Sequence, residues 1–347
     1  MKRILFAASV MALSAALAGP ALARDQLHVA GSSTVLPYAQ IVAEEFGKTF
    51  SNFKTPVVES GGSGAGIKQF CQGVSEDTID VANSSRPMKK EELESCVKAG
   101  VKDVIEVKIG YDGIVFASDV GGPSFAFEPK DWYLAIADQI PVDGKMVANP
   151  NKSWKDVNPN FPDQAIAAFI PGEKHGTREV FEEKVLVAGC KALKGDEALM
   201  ASGVDKKDVA KACAKVRKDG VAVDIDGDYT ETLARLQSNK DGIGVFGLAF
   251  YENNTDKLKV ATVNEIVPSV ETIAAGKYPV SRPLFFYVKK AHIGAVPGLK
   301  EYAEFFVSDK MAGPDGPLAE YGLVPAPEAE LKAIQEMVKA ETTMATQ

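Results

Sequence analysis

The 347-residue sequence has only three histidines, at 28, 175 and 292, and four cysteines with no C-x-x-C pair. So small a stock of imidazole and thiolate, without ligand spacing, leaves no metal site to expect. Beyond the first two dozen residues no apolar run approaches the roughly 20 residues that cross a bilayer. An excess of positive charge is missing too. The formal net charge is -8, a poor electrostatic match to nucleic acid or an anionic membrane, and neither is expected as a partner. Gly61, Gly62, Gly64 and Gly66 are not followed by G-K-[ST] and do not form G-x-G-x-x-G, so no nucleotide cofactor is expected. Nor does the sequence pair a nucleophile with a base, which counts against an enzyme such as a secreted phosphatase.

What is present begins at the N-terminus. Lys2 and Arg3 precede an apolar stretch from Ile4 to about Ala18, and Ala21-Leu22-Ala23 offers small residues where a leader peptidase reads. A signal peptide over 1–23, cleaved after Ala23, is expected, with a soluble product in the periplasm. Export permits disulfides. The cysteines are spaced 25 and 23 residues apart in two groups, and the most local of the three pairings is Cys71–Cys96 with Cys190–Cys213. The remaining length exceeds what one hydrophobic core usually serves, so two domains are expected.

Three units then repeat one pattern. Leu27–Gly31, Val57–Ser60 and Ile79–Ala82 read as short buried strands. Each runs through a glycine- or hydroxyl-rich turn into a helical stretch, over about Tyr38–Phe50, Ile67–Gly73 and Lys89–Lys98. Strands alternating with helices predict α/β lobes with largely parallel sheets. A fourth such junction follows the strand Ala165–Ile170, at Pro171 to Arg178. Val104–Ser118 reads as a strand pair broken at Gly110-Tyr111-Asp112-Gly113, and 141–162 as a surface excursion. The run Tyr278–Val288 reads as a return crossing whose prolines bar a regular central position for its first half. The C-terminal edge of an open parallel sheet is where such folds bind ligands, and unpaired first-turn amides there suit an anion.

Gly31-Ser32-Ser33-Thr34-Val35, Gly62-Ser63-Gly64-Ala65-Gly66-Ile67-Lys68-Gln69 and Asp80-Val81-Ala82-Asn83-Ser84-Ser85-Arg86-Pro87 resemble successive anion-binding loops of the phosphate-binding receptors of bacterial ABC uptake systems. Gly176-Thr177-Arg178 resembles the loop from the opposite lobe. Gly244–Ala249 and Tyr278–Leu284 resemble later framework segments. The resemblance implies a periplasmic-binding-protein-like fold of type II, with two α/β lobes around a cleft and a two-segment hinge. Lobe one would comprise 24–113 and 286–347, and lobe two 114–285. It further implies a monomeric receptor that captures inorganic phosphate and delivers it to an inner-membrane ABC permease complex, with no cofactor.

Carried over by motif, Ser33, Thr34, Val35, Ser63, Ser85, Gly176 and Thr177 supply hydroxyls and amides, His175 contacts the ion directly or through water, and Arg86 and Arg178 supply positive charge. Helix N-capping asks for the same hydroxyl residues, so each has a purely architectural reading beside this one. The chain departs from the family pattern in three places. Ser85 stands where an aspartate usually accepts the proton of phosphate, His175 replaces a serine, and Pro171 stands where an arginine is common. Asp112 and Asp80 are the nearest substitute acceptors. Tyr229, Phe285 and Phe286 are read as core or cleft packing. These departures keep open another tetrahedral oxyanion, or a small phosphorylated compound, as ligand. A structural or adhesive use of the same scaffold would show no anion binding at all.

Overall fold

The computed structural model describes residues 24–172 and 176–345; the expected signal peptide and His175 lie outside them. Three strands open the chain, β1 (His28–Gly31), β2 (Val57–Ser60) and β3 (Val81–Ser84), each leading into a helix, α1 (Leu36–Thr49), α2 (Ser63–Phe70) and α3 (Lys90–Lys98). They pair in parallel in the order β2-β1-β3. All three junctions therefore emerge at one edge of the sheet, as the repeated sequence pattern predicts.

Two glycines let these junctions close on one another. A Cβ on Gly31, whose φ is 143°, would lie 2.2 Å from the Asn83 carbonyl oxygen. A Cβ on Gly66 would lie 2.4 Å from the Gly31 Cα. The first turn of α2 thus packs against the end of β1 with no side chain between them, and any larger residue would drive the loops apart.

The region read as a broken strand pair is one long strand, β4 (Val104–Asp119). Gly110, at φ 142°, bends it without ending it. Two small pairings, β5 (Ala126–Phe127) with β12 (Thr262–Val263) and the hairpin of β6 (Gln139–Val142) and β7 (Lys145–Ala148), sit outside the main sheet. The second lobe is built on β8 (Ala168–Pro171), β9 (Ala222–Ile225), β10 (Ile243–Gly247) and β11 (Leu258–Val260), and the chain returns along β13 (Ser281–Lys289).

The partners of β4 change midway. Its first part runs antiparallel to β13, ending with Gly113 opposite Ser281. From Ile114, which faces Gly247, it runs antiparallel to β10. β4 thus pairs with β13 up to Gly113 and with β10 from Ile114 onward. The boundary expected between 285 and 286, however, falls inside β13, which pairs with β4 from Ser281 onward. Pro283 is accommodated there because β3 does not reach it. Pairing with β3 begins at Phe285, so at the proline β13 has a free edge.

Each lobe has its own aromatic core. Phe46, Phe53, Tyr302 and Phe305 pack together in the first. Phe116, Phe127, Trp132, Trp154 and Phe181 do so in the second. The disulfides Cys71–Cys96 and Cys190–Cys213 form as the spacing suggests, each beside a smaller apolar cluster. A bridge closing a loop of that length restricts the unfolded chain by about 3.5 kcal/mol. A Cys71→Ala/Cys96→Ala variant is expected to lose stability on that scale in urea unfolding, with its far-UV circular dichroism unchanged.

Candidate functional site

Two hydroxyls of the first lobe meet between the β2 and β3 junctions, and Thr34 lies in the β1 junction. Ser63 opens α2, and its hydroxyl lies 3.1 Å from that of Ser85 while accepting the Ser85 amide at 3.1 Å. Neither hydroxyl caps its own helix; the pair ties the start of α2 to the loop after β3. Thr34 is buried, and its amide and that of Val35 make long contacts, 3.2 and 3.4 Å, to the Ser32 hydroxyl. Ser33 is exposed at the border of a wide groove lined by Arg178, Glu179 and Glu183.

From the second lobe, the helix Gly176–Phe181 begins at the fourth junction. Thr177 borders the same cleft as Thr34, beside the Tyr229 phenol. The helix also brings a residue that the sequence reading did not single out. Glu179 Oε2 accepts the Thr34 hydroxyl at 2.9 Å and stands 3.2 Å from Arg282 Nη2. Arg282 is the second missed residue. It is 5% exposed, donates to Thr34 at 2.9 Å, and also meets Glu183 at 3.2 Å and Asp112 at 3.9 Å. A guanidinium buried in an apolar strand must be paired, so an arginine inside the run 278–288 was the signal available.

The two arginines expected to meet the ligand are engaged elsewhere. Arg86 forks onto Glu92 of α3, at 2.8 and 2.7 Å, and Nη1 also reaches the Pro87 carbonyl. Arg178 donates to Glu182 at 2.7 Å and to the Pro171 carbonyl at 2.8 Å, and it pairs with Asp224. Asp80 is also placed away from the site. It is fully buried at the start of β3, opposite the junctions, where Arg24, the His28 amide and His292 surround it.

Asp112 lies at the cleft, in β4 opposite Arg282. Burial pushes its carboxyl up to about 6, with Glu179 adding to the effect and Arg282 opposing it. Burial holds Tyr38 and Tyr229 nearby above the usual phenol range, with the Thr177 hydrogen bond opposing it at Tyr229 and the Asp112 charge adding to it at both. They remain neutral hydrogen-bonding groups. Among the described residues no group of three or more His, Cys, Asp and Glu is placed to hold a metal, and no helix is long and apolar enough to cross a membrane.

A two-lobed α/β protein with hydroxyls, amides and one buried arginine facing each other across its cleft is built as a solute receptor. A profile of the PBP superfamily domain matches residues 17–310. The chain is 31% identical over 325 residues to SphX of Synechococcus elongatus, covering 90% of this chain and 81% of that one. It is 32% identical over 311 residues to the phosphate-binding protein PstS of Staphylococcus haemolyticus, covering 87% and 81%. A crystal structure of a possible phosphate-binding protein from Planctomyces limnophilus superposes with a TM-score of 0.69 at 25% identity, over 92% of this chain and 99% of that one. An ABC-type phosphate transport receptor from Vibrio cholerae shares the fold, with a TM-score of 0.56 at 19% identity over 87% and 100%. The chain belongs to the PstS/SphX family of phosphate-binding receptors, with the periplasmic-binding-protein fold of type II.

The raised Asp112 carboxyl has a measurable consequence. Between its ordinary value near 3.8 and about 6, the folded protein holds a proton that the unfolded chain has released. Stability attributable to this group therefore falls as pH rises through that window, by at most about 3 kcal/mol. Asp112→Asn removes the titration. In urea unfolding from pH 4 to pH 7 its stability should rise relative to the parent protein, and parallel curves would show an unperturbed carboxyl.

Proposed function

We propose that the chain is exported with cleavage after Ala23 and works as a monomeric, non-enzymatic receptor. It takes inorganic phosphate into the cleft and delivers it to an ABC-type permease in the inner membrane. Ser33, Thr34, Val35, Ser63 and Ser85 supply hydroxyls and amides from the first lobe, and Gly176, Thr177 and His175 supply them from the second. Arg282 supplies the charge. Arg86 and Arg178 serve by tying α3 and the helix Gly176–Phe181 to their surroundings through the carboxylates they hold.

The observation that carries this reading is the Glu179 carboxylate. One of its oxygens sits between the Thr34 hydroxyl and the Arg282 guanidinium, at 2.9 and 3.2 Å. Those donors are thus already aimed at a single oxyanion oxygen. Phosphate replaces that oxygen and, having others, also reaches the Ser63–Ser85 pair and the helix start at Gly176, where unpaired amides favour an anion. Displaced but close, Glu179 can accept the proton that phosphate carries near neutral pH. Sulfate carries none, so two acceptors would face each other unpaired, which costs about 1–3 kcal/mol. Glu179 in this way fills the role left empty by a serine at position 85.

Calorimetric titration of the ligand-stripped mature protein at pH 7.5 should show tight 1:1 binding of phosphate and no response to sulfate. Arg282→Met removes a charge-assisted bond and is expected to weaken phosphate by about tenfold to a hundredfold. Ser63→Ala, a milder change, should weaken it by about tenfold. Silence toward phosphate from a correctly oxidised, folded sample would overturn the reading, and binding of sulfate in its place would assign the cleft to another oxyanion.

A further inference from the structure

Beside the anion donors the cleft widens into a chamber of about 270 Å³, more than a single tetrahedral ion fills and near the lower end of small-molecule pockets. Thr34 and Thr177 border it, so it opens directly from the site already described. Ser63 and Ser85 do not reach it.

The chemistry of its walls is the reverse of an anion site. Among the described residues no lysine or arginine lines it, whereas Asp112, Asp228 and Glu320 do. Asp228 is engaged at the start of the helix Tyr229–Ser238, where it accepts the Thr230 amide. Asp112 is different. It is 3% exposed, and its Oδ2 accepts no hydrogen bond, the nearest cation being Arg282 Nε at 3.9 Å. A buried carboxylate oxygen left in that state is costly unless a donor arrives.

Aromatic rings complete the enclosure. Tyr38 and Tyr321 meet edge to face at 5.7 Å, and Tyr229 and Phe250 stand 5.4 Å apart. Ring faces together with carboxylates attract cations, organic ammonium groups above all. A metal ion would instead need a close cluster of oxygen ligands, which the described residues do not provide.

We propose that this chamber binds the ammonium end of an amine-bearing organophosphate, a short phosphomonoester or phosphonate whose phosphoryl group occupies the Thr34–Arg282 site. The proposal rests on the phosphate-receptor reading and extends its substrate class. The two charges of such a ligand meet complementary partners, the phosphoryl group at Arg282 and the ammonium at Asp112, within a framework of rings. Free phosphate uses only the first half. Glu320 and Tyr321 stand at the exposed side of the chamber, where a ligand longer than phosphate would make contact.

The test is a calorimetric panel on the ligand-stripped mature protein with phosphate, methyl phosphate, O-phosphoethanolamine and ethanolamine. Phosphoethanolamine is expected to bind about tenfold or more tighter than methyl phosphate. Ethanolamine alone should give no signal. That ratio should fall toward one in Asp112→Asn and shrink in Tyr321→Ala, and because it is a ratio, a change common to every phosphoryl ligand cancels. Phosphate binding with phosphoethanolamine no tighter than methyl phosphate overturns the chamber and leaves the receptor standing. Ethanolamine binding as well as phosphoethanolamine overturns the two-ended ligand. Binding of phosphoethanolamine without phosphate supports the chamber and removes the phosphate assignment, and no binding of any phosphoryl ligand overturns both.

Discussion

A guanidinium withdrawn from water needs acceptors, and at Arg282 the two Nη groups find them while Nε stands 3.9 Å from Asp112 without a hydrogen bond. Its side chain is 5% exposed, and the groups around it come from separate parts of the chain. Asp112 comes from β4, Thr34 from the loop after β1, and Glu179 and Glu183 from the second lobe. The arginine thus ties the strand at the crossing to both sides of the cleft. On the proposed reading, ligand exchange is the exchange of one acceptor for another around this cation.

That view bears on how the lobes communicate. Without ligand, the contact between Arg282 and Thr34 on one side and the second lobe on the other runs through carboxylates. These carboxylates belong to the second lobe and act as acceptors for Arg282 and Thr34. On the proposed reading, a phosphate in their place accepts from Arg282 and Thr34 and, through its other oxygens, from amides at the start of the helix Gly176–Phe181, and so spans both lobes. A ligand shifts a conformational equilibrium only through such a difference in interaction. The partner change in β4, from β13 at Gly113 to β10 at Ile114, puts the turning point beside Asp112.

The parts of this arrangement differ in how openly the sequence shows them. The three strand–loop–helix units are legible because close packing of the loops needs Gly31 and Gly66, and the donors at the junctions are hydroxyl residues. Arg282 is hidden because it lies between two prolines in an apolar run that reads as framework. Arg86 and Arg178 follow donor loops and so invite a ligand role. The helices they adjoin, however, offer Glu92 six residues on and Glu182 four residues on, and local carboxylates claim both. Asp80 shares a motif with Ser85, but a strand lies between them, and four residues of β3 carry the two to opposite ends of the sheet.

The charge balance of the cleft follows from the same pairing. The formal net charge is -8, yet long-range repulsion fades over a Debye length of about 8 Å at physiological salt, so an anion at the donors responds mainly to its immediate surroundings. There, Arg86 and Arg178 are neutralised by their own carboxylates, which among these described arginines leaves Arg282, with Asp112, Glu179 and Glu183 against it. Formal charge by itself would therefore repel phosphate. On the proposed reading the favourable contribution comes from oriented dipoles, the hydroxyls of Thr34, Ser63 and Ser85 and the amides at the helix starts, which backbone packing positions. The glycines that let the loops close are for that reason as much a part of anion recognition as the arginine.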